Sequence, residues 1–360
     1  MTGLNTPLNQ HITFGWGRRD HQAISRGGYG LMPHGDARQW LEKNKRAVQW
    51  YDNAQDTYLS GAHHFVNLEN PENDSQPSVF SHHAVQSWSV LGHLLTPFNA
   101  SRQKQQWAIQ PLTESQLPSG PTVYDAVVEK YNKAVGAMIK YQLASSTLTP
   151  LQKEKHSGEM AKHIGAMNHY LADLYMPLHA SRWYNWPVAP DKDGKRHPEM
   201  MQGIHQFIEQ EMFTREELLS VMQQAPKNNA LLKLKREQLK PFLLKQIEHS
   251  HLMVYQLFDA NKTFWKENPD LHQNPQAYKD GLSRIIKPMI EKRMAQAQQG
   301  VGSVLHLAWQ DASRVVEQYM AMAERQKAVM SHQGATITSN HSENENSSVL
   351  GTSPNPFSVN

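Results

Sequence analysis

Apolar residues recur every three or four positions along most of the chain and nowhere alternate strictly with polar ones. In DARQWLEKNKRAVQWYDNA, Trp40, Leu41, Val48 and Tyr51 fall on one stripe, which predicts a helix from Asp36. TVYDAVVEKYNKAVGAMIKYQL and EKHSGEMAKHIGAMNHYLADLYM read as amphipathic helices, the second stopped by Pro177. A short helix is expected in SHHAVQSWSVLGHLL, another in GIHQFIEQEMF, and long helical stretches over about 229–266 and 276–332. Trp309, Met320 and Met322 read as the core side of the last. Residues 1–35, rich in Gly and Asn, show little periodicity, and 67–80, 97–121 and 183–203 read as loops on their Pro, Gly, Asn and Asp content. The expectation is an all-α protein: one compact multi-helix bundle over residues 1–332, followed by a disordered polar tail, 333–360, rich in Ser and Asn.

Composition narrows the chemistry. The absence of cysteine excludes disulfides, a thiol nucleophile and cysteine-based metal sites. A net charge of +3 does not argue for nucleic acid as a partner. Histidine is abundant, at 20 of 360 residues, so a transition metal would be held by imidazoles and carboxylates. The segment NHYLADLYMPLHAS puts His169 and Asp173 four residues apart on one helix face, with His179 just beyond Pro177. GIHQFIEQ repeats the spacing with His205 and Glu209. Imidazole–carboxylate pairs on facing helices are how helical bundles build internal metal sites.

These residues resemble the zinc-dependent phospholipase C family, which includes bacterial phosphatidylcholine-hydrolysing enzymes and the clostridial alpha-toxin and is related to fungal single-strand zinc nucleases. His169, Tyr170, Asp173, Pro177 and His179 match that family's H-Y-h-G-D-x-x-x-P-x-H, with Ala172 in place of its glycine. His205 and Glu209 match the phospholipase form of the next motif. Upstream, Asp52 and the His64–Phe65 pair resemble a third motif, with Asp56 and His63 as neighbouring alternatives. Trp16 and His21 resemble the family's N-terminal ligands, at a spacing closer to the nucleases.

The resemblance implies three zinc ions: one on Asp52, His64, His169 and Asp173, one on His179, His205 and Glu209, and one on Trp16 and His21 with Asp173 bridging. It implies hydrolysis of phospholipids such as phosphatidylcholine to diacylglycerol and a phosphorylated head group by zinc-bound hydroxide. Asp52 would orient or deprotonate the water. The partner would be a phospholipid membrane surface, with no nucleic acid favoured and no stable protein partner. An internal Trp16 has no free amine, so the third zinc requires processing at that residue or a substitute such as His11 or His21. Trp183 and Trp186 can supply an apolar wall for a head group. No signal peptide is evident; export is expected, as a mature form or by a route that reads the tail, with a cytoplasmic location as the alternative. The alternatives to a phospholipase are a zinc nuclease or nucleotidase on the same scaffold, and a non-enzymatic His-rich metal-binding protein. His82, His83, His93, His156, His163, His249, His251 and His306 read as ordinary surface or core positions.

Overall fold

A computed structural model describes residues 16–58, 64–66, 112–118, 121–144, 149–181, 203–228 and 230–340. Among them are helices and no strands, the all-α bundle expected. The helix expected at residues 81–95, the loops expected at 67–80 and 183–202, His11, His63, Trp183, Trp186 and residues 341–360 lie outside the described residues, as does the Asp56 side chain. No helix among the described residues is long and apolar enough to cross a membrane.

The helices are α1 (Arg18–Leu31), α2 (Asp36–Tyr58), α3 (Val123–Ala144), α4 (Pro150–Asp173), α5 (Arg215–Asn228), α6 (Leu239–Glu267) and α7 (Pro275–Asn340). A 3₁₀ turn, Pro177–Ala180, follows α4. A single helical turn, Ile204–Gln206, runs on as a π turn, Phe207–Glu211. The chain divides into Met1–Ala312 and Ser313–Asn360. In the first unit α4 is central, packed by α2 and α3, while α1 lies on α5 and α2, and α6 covers the 3₁₀ turn. The core stripe of α7 runs through Leu282, Ile286, Ile290, Met294, Ala297, Val301, Val304 and Ala308, all buried. In the second unit α7 continues to Asn340.

Local sequence explains where helices begin. At α4, Thr149 and Gln152 form a capping box and Pro150 takes the first helical position, where its missing N–H costs nothing. At α5 the Thr214 amide donates to Glu217 and the Glu217 amide to Thr214 Oγ1, at 2.8 and 3.2 Å. That T-x-x-E signature is legible in the sequence, although no separate helix is predicted there.

Other boundaries depart from the expectation. Residues 18–31 are helical despite Gly27, Gly28 and Gly30, because Gly27 and Gly28 serve a close helix crossing rather than a turn. A Cβ on Gly28 would fall 2.9 Å from both Gln298 O and Gly302 N on α7, and one on Gly27 would strike Gln298. The stretch 230–235 is not helical. It runs along α7 instead, with the Leu232 amide donating to Ser303 Oγ at 2.9 Å. Trp309 packs against the core, but Met320 and Met322 are 48% and 61% exposed, so that stripe is not core.

Candidate metal centre

Asp173 is the last residue of α4. Carbonyls at a helix C-terminus lack intrahelical partners, and here distant donors cover them. Trp16 Nε1 donates to Ala172 O at 2.9 Å, Ser250 Oγ to Leu174 O, and Arg293 Nε to Tyr175 O at 3.1 Å. Beyond Pro177, the Val66 amide donates to His179 O and His251 Nδ1 reaches Ala180 O, each at 2.8 Å. The segment carrying Asp173 and His179 is therefore clamped at both ends. Arg293 is buried and, among the described residues, donates to neutral acceptors, Gln246, Gln296 and Ser250 among them, and its guanidinium lies over the Tyr175 ring. Burial lowers its pKa to about 10, which leaves it charged at neutral pH. His251, read from sequence as an ordinary position, is thus one of the residues that fix the site, and no motif marks it, Ser250 or Arg293.

Two further close approaches aim the remaining side chains. Gly165 lets α2 pack directly on α4, because a Cβ there would fall 2.4 Å from Val48 O and 2.8 Å from Asp52 N. This brings Asp52 beside His169. Gly17 does the same at the start of α1, where a Cβ would meet the Glu209 carbonyl at 2.1 Å.

The side chains that converge are those singled out from the sequence. Asp173 Oδ1 lies 3.4 Å from His21 Nε2 and 3.6 Å from His179 Nδ1, while Oδ2 lies 2.9 Å from His64 Nδ1 and 3.4 Å from His169 Nε2. Asp52 Oδ1 faces His21 Nδ1 at 3.5 Å and His169 Nδ1 at 3.4 Å. The His21 ring stacks on His169, with centroids 4.1 Å apart. On the other side of Asp173, His205 Nε2 lies 2.8 Å from Glu209 Oε1 and 3.2 Å from His179 Nε2. His21, Asp52, His64, His169, Asp173, His179, His205 and Glu209 are all buried. Trp16 is buried too, its indole tied to the Ala172 carbonyl. The helix expected around His205 is in part a π turn, yet His205 and Glu209 still face one another.

Two sets of ligand atoms each lie within 4.8 Å of one another: His21, His169 and Asp173, and His179, His205 and Glu209. Both can hold a metal ion. The donor set fits one, because buried carboxylates need compensating charge and no Lys or Arg among the described residues pairs with Asp52 or Asp173. Asp52 Oδ1, Asp173 Oδ1 and His179 Nδ1 are also buried atoms without a hydrogen bond. No family model matches the chain, and no curated protein matches it either.

The protonation states suit metal binding. Burial lowers the pKa of His205 to about 4, against a weaker pull from Asp173, so the imidazole is neutral at pH 7. Burial also lowers His179, partly opposed by Asp173 and Glu209. Burial alone would raise Asp173, but its interactions with His169, His179, His21 and His64 outweigh burial and hold it well below the usual carboxylate range. Neutral His179 and His205 and an ionised Asp173 are the states a cation requires. Asp20, next to His21, is different. Burial raises it to about 8, opposed by His21 and reinforced by Glu209.

Proposed function

We propose that this chain is a zinc-dependent phospholipase C. The observation that supports the reading is the convergence, around Asp173, of imidazoles and carboxylates from separate segments; His179, His205 and Glu209 group as the motifs imply, whereas His169 and Asp173 group with His21. Asp52, His64, His169 and Asp173 would hold one zinc, and His179, His205 and Glu209 a second. His21 and Asp173, with Trp16 should processing free its amine, would hold a third. Nitrogen and carboxylate oxygen are ordinary zinc donors.

Bound zinc would polarise a phosphoryl oxygen and lower the pKa of a water to about 7. The chain's own residues supply orientation and proton handling. Asp173 presents one oxygen toward His64 and His169 and the other toward His21 and His179, the disposition of a bridging carboxylate. His179 and His205 keep lone pairs available because burial holds them neutral. Asp52 Oδ1, which accepts no hydrogen bond, is the carboxylate atom positioned to bind the cluster or to take a proton from an attacking water.

A second reading, a zinc nuclease on the same scaffold, is supported by one observation. His21, five residues after Trp16 as in the nucleases, stacks on His169 within the cluster. Glu209, where the nucleases carry Asp, opposes it.

A paired assay tests both. Zinc-loaded protein is offered phosphatidylcholine vesicles and, separately, single-stranded nucleic acid, each with and without chelator and with Asp173→Asn alongside. Chelator-sensitive release of phosphocholine, lost in the variant, supports the phospholipase. Cleavage of nucleic acid alone transfers the protein to the second reading. Absence of bound zinc and of both activities defeats the enzyme reading.

A further inference from the structure

On the turn that carries His205 and Glu209 sits a cavity of about 210 Å³, walled by Ile204, Phe207, Trp265, Tyr278 and Leu282. Among the described residues, no member of the two candidate ligand sets lines it. The chain builds it at a corner: α6 stops at Glu267, a 3₁₀ turn follows over Pro269–Gln273, and α7 starts at Pro275. Gly281 lets α7 press back onto α6, since a Cβ there would strike the Phe264 ring. The His272 ring stacks on Trp265 with centroids 3.6 Å apart, and Tyr278 meets Trp265 edge-on at 5.3 Å. The wall rings thus brace one another, and the space beside them is preformed. Phe207 and Leu282 are buried, whereas Pro275, also on the wall, is exposed, so the cavity opens to solvent.

The polar side chains on the wall are engaged within the protein. Tyr278 donates to Asn261 Oδ1, His272 Nε2 donates to Trp265 O at 2.9 Å, and Lys279 Nζ pairs with Glu211 Oε2 at 2.6 Å. Most of the surface left facing the space is ring and aliphatic carbon. A nucleobase or a sugar would bury donors and acceptors of its own here without partners, which is unfavourable. A hydrocarbon has none to bury and gains from each methylene it removes from water. The size agrees. The cavity is smaller than the roughly 300–1,000 Å³ clefts that take whole drug-sized molecules and larger than the roughly 150 Å³ apolar cavity that holds benzene. It suits part of a molecule whose remainder stays outside the opening.

We infer that this cavity is a binding site for the alkyl chain of a lipid. Ile204 and Phe207 share their turn with His205 and Glu209, so a chain held here is held beside the candidate centre. The site lies outside every motif read from the sequence, and it does not require the centre to hold zinc.

The test uses chelated protein and bromo-octanol, whose bromine quenches a tryptophan that it touches. The chain has nine tryptophans, and Trp265 is the one that lines the cavity among the described residues. Saturable quenching is expected, largely lost in Trp265→Phe and kept in Trp309→Phe, whose ring packs elsewhere against the core. Leu271 is also on the wall. Leu271→Phe, which puts a larger side chain there, is expected to weaken the probe about tenfold, the worth of a couple of buried methylenes, with the far-ultraviolet spectrum unchanged. It carries the test should Trp265→Phe not fold. Adenosine, a ring with a polar edge, should not displace the probe. Vesicles of phosphatidylcholine with brominated acyl chains should quench Trp265 as well, which separates a membrane lipid from a free chain. Quenching that does not saturate, that survives Leu271→Phe undiminished, or that adenosine reverses would overturn the inference. Quenching by the free probe with none from the vesicles would overturn the assignment to a lipid. Because no metal is present, failure here leaves the zinc reading standing, and a chain that binds no zinc leaves this inference standing.

Discussion

Asp20 illustrates how a single buried group sets a pH dependence. Its carboxyl takes a hydrogen bond from the Gly17 amide, while Oδ2 is buried without a partner. Burial raises its pKa to about 8, from 3.8 for the unfolded chain. The folded state therefore holds a proton that the unfolded state has released. Its contribution to stability is complete below pH 3.8 and is lost as pH rises through about 8. Asn keeps an oxygen for the Gly17 amide and cannot ionise. In chelated protein Asp20→Asn should therefore stabilise more at pH 9 than at pH 5, by on the order of 1–3 kcal/mol. Denaturant unfolding at the two pH values checks this, and equal effects would contradict it. At this scale the sequence was informative about ligand pairs and silent about what holds them. The spacing of His169 with Asp173 and of His205 with Glu209 is local, so it can be read directly. Ser250, His251 and Arg293 act across distances that no spacing encodes.

Two glycines with opposite surroundings make the element scale testable. Gly165 lies where α2 crosses α4, whereas Gly136 lies on α3, and a Cβ there would meet nothing within 4 Å. Gly165→Ala must push α2 off α4, because the new methyl meets backbone rather than a yielding side chain. It should destabilise by about 1–3 kcal/mol and, by moving Asp52 from His169, weaken metal uptake. Gly136→Ala fills open space in a helix interior and should stabilise by about 0.5–1 kcal/mol with metal uptake unchanged. Chemical denaturation and a zinc titration on both variants decide it, and a neutral Gly165→Ala would mean that the crossing has slack. The same physics explains which elements were legible. The stripes of α2, α3 and α4 are core-facing and long, so their period is clear. The glycines of α1 read as loop because a Gly that permits helix contact looks the same in sequence as one that permits a turn. The stretch 230–235 read as helix because its leucines suit either conformation, and the choice is made by Ser303 on a distant helix.

Within the unit Met1–Ala312, the candidate centre is a tie among several elements. Residues from α1, α2, the 64–66 segment, α4 and the two short turns all end there. A ligand that binds only where these elements meet stabilises the folded state by mass action. Free zinc at about 100 times its dissociation constant is worth about 2.7 kcal/mol per site, which should raise the unfolding midpoint on the order of 5 °C. The stabilisation should also depend on pH with a definite sign. Burial lowers His205 to about 4 from 6.5, and it lowers His179 in the same direction. The unfolded chain therefore takes up these protons first as the solution is acidified. Their contribution is present above pH 6.5 and is lost as pH falls toward 4. Metal binding requires the same neutral imidazoles and steepens that loss. Thermal melts of zinc-loaded and chelated protein across pH 5–8 should thus show a gap that is widest at the alkaline end and narrows on acidification. Asp173→Asn, which removes the carboxylate of the His21, His169 and Asp173 set, should narrow the gap at every pH. A gap undiminished in Asp173→Asn would mean that the His21, His169 and Asp173 set contributes nothing to zinc stabilisation.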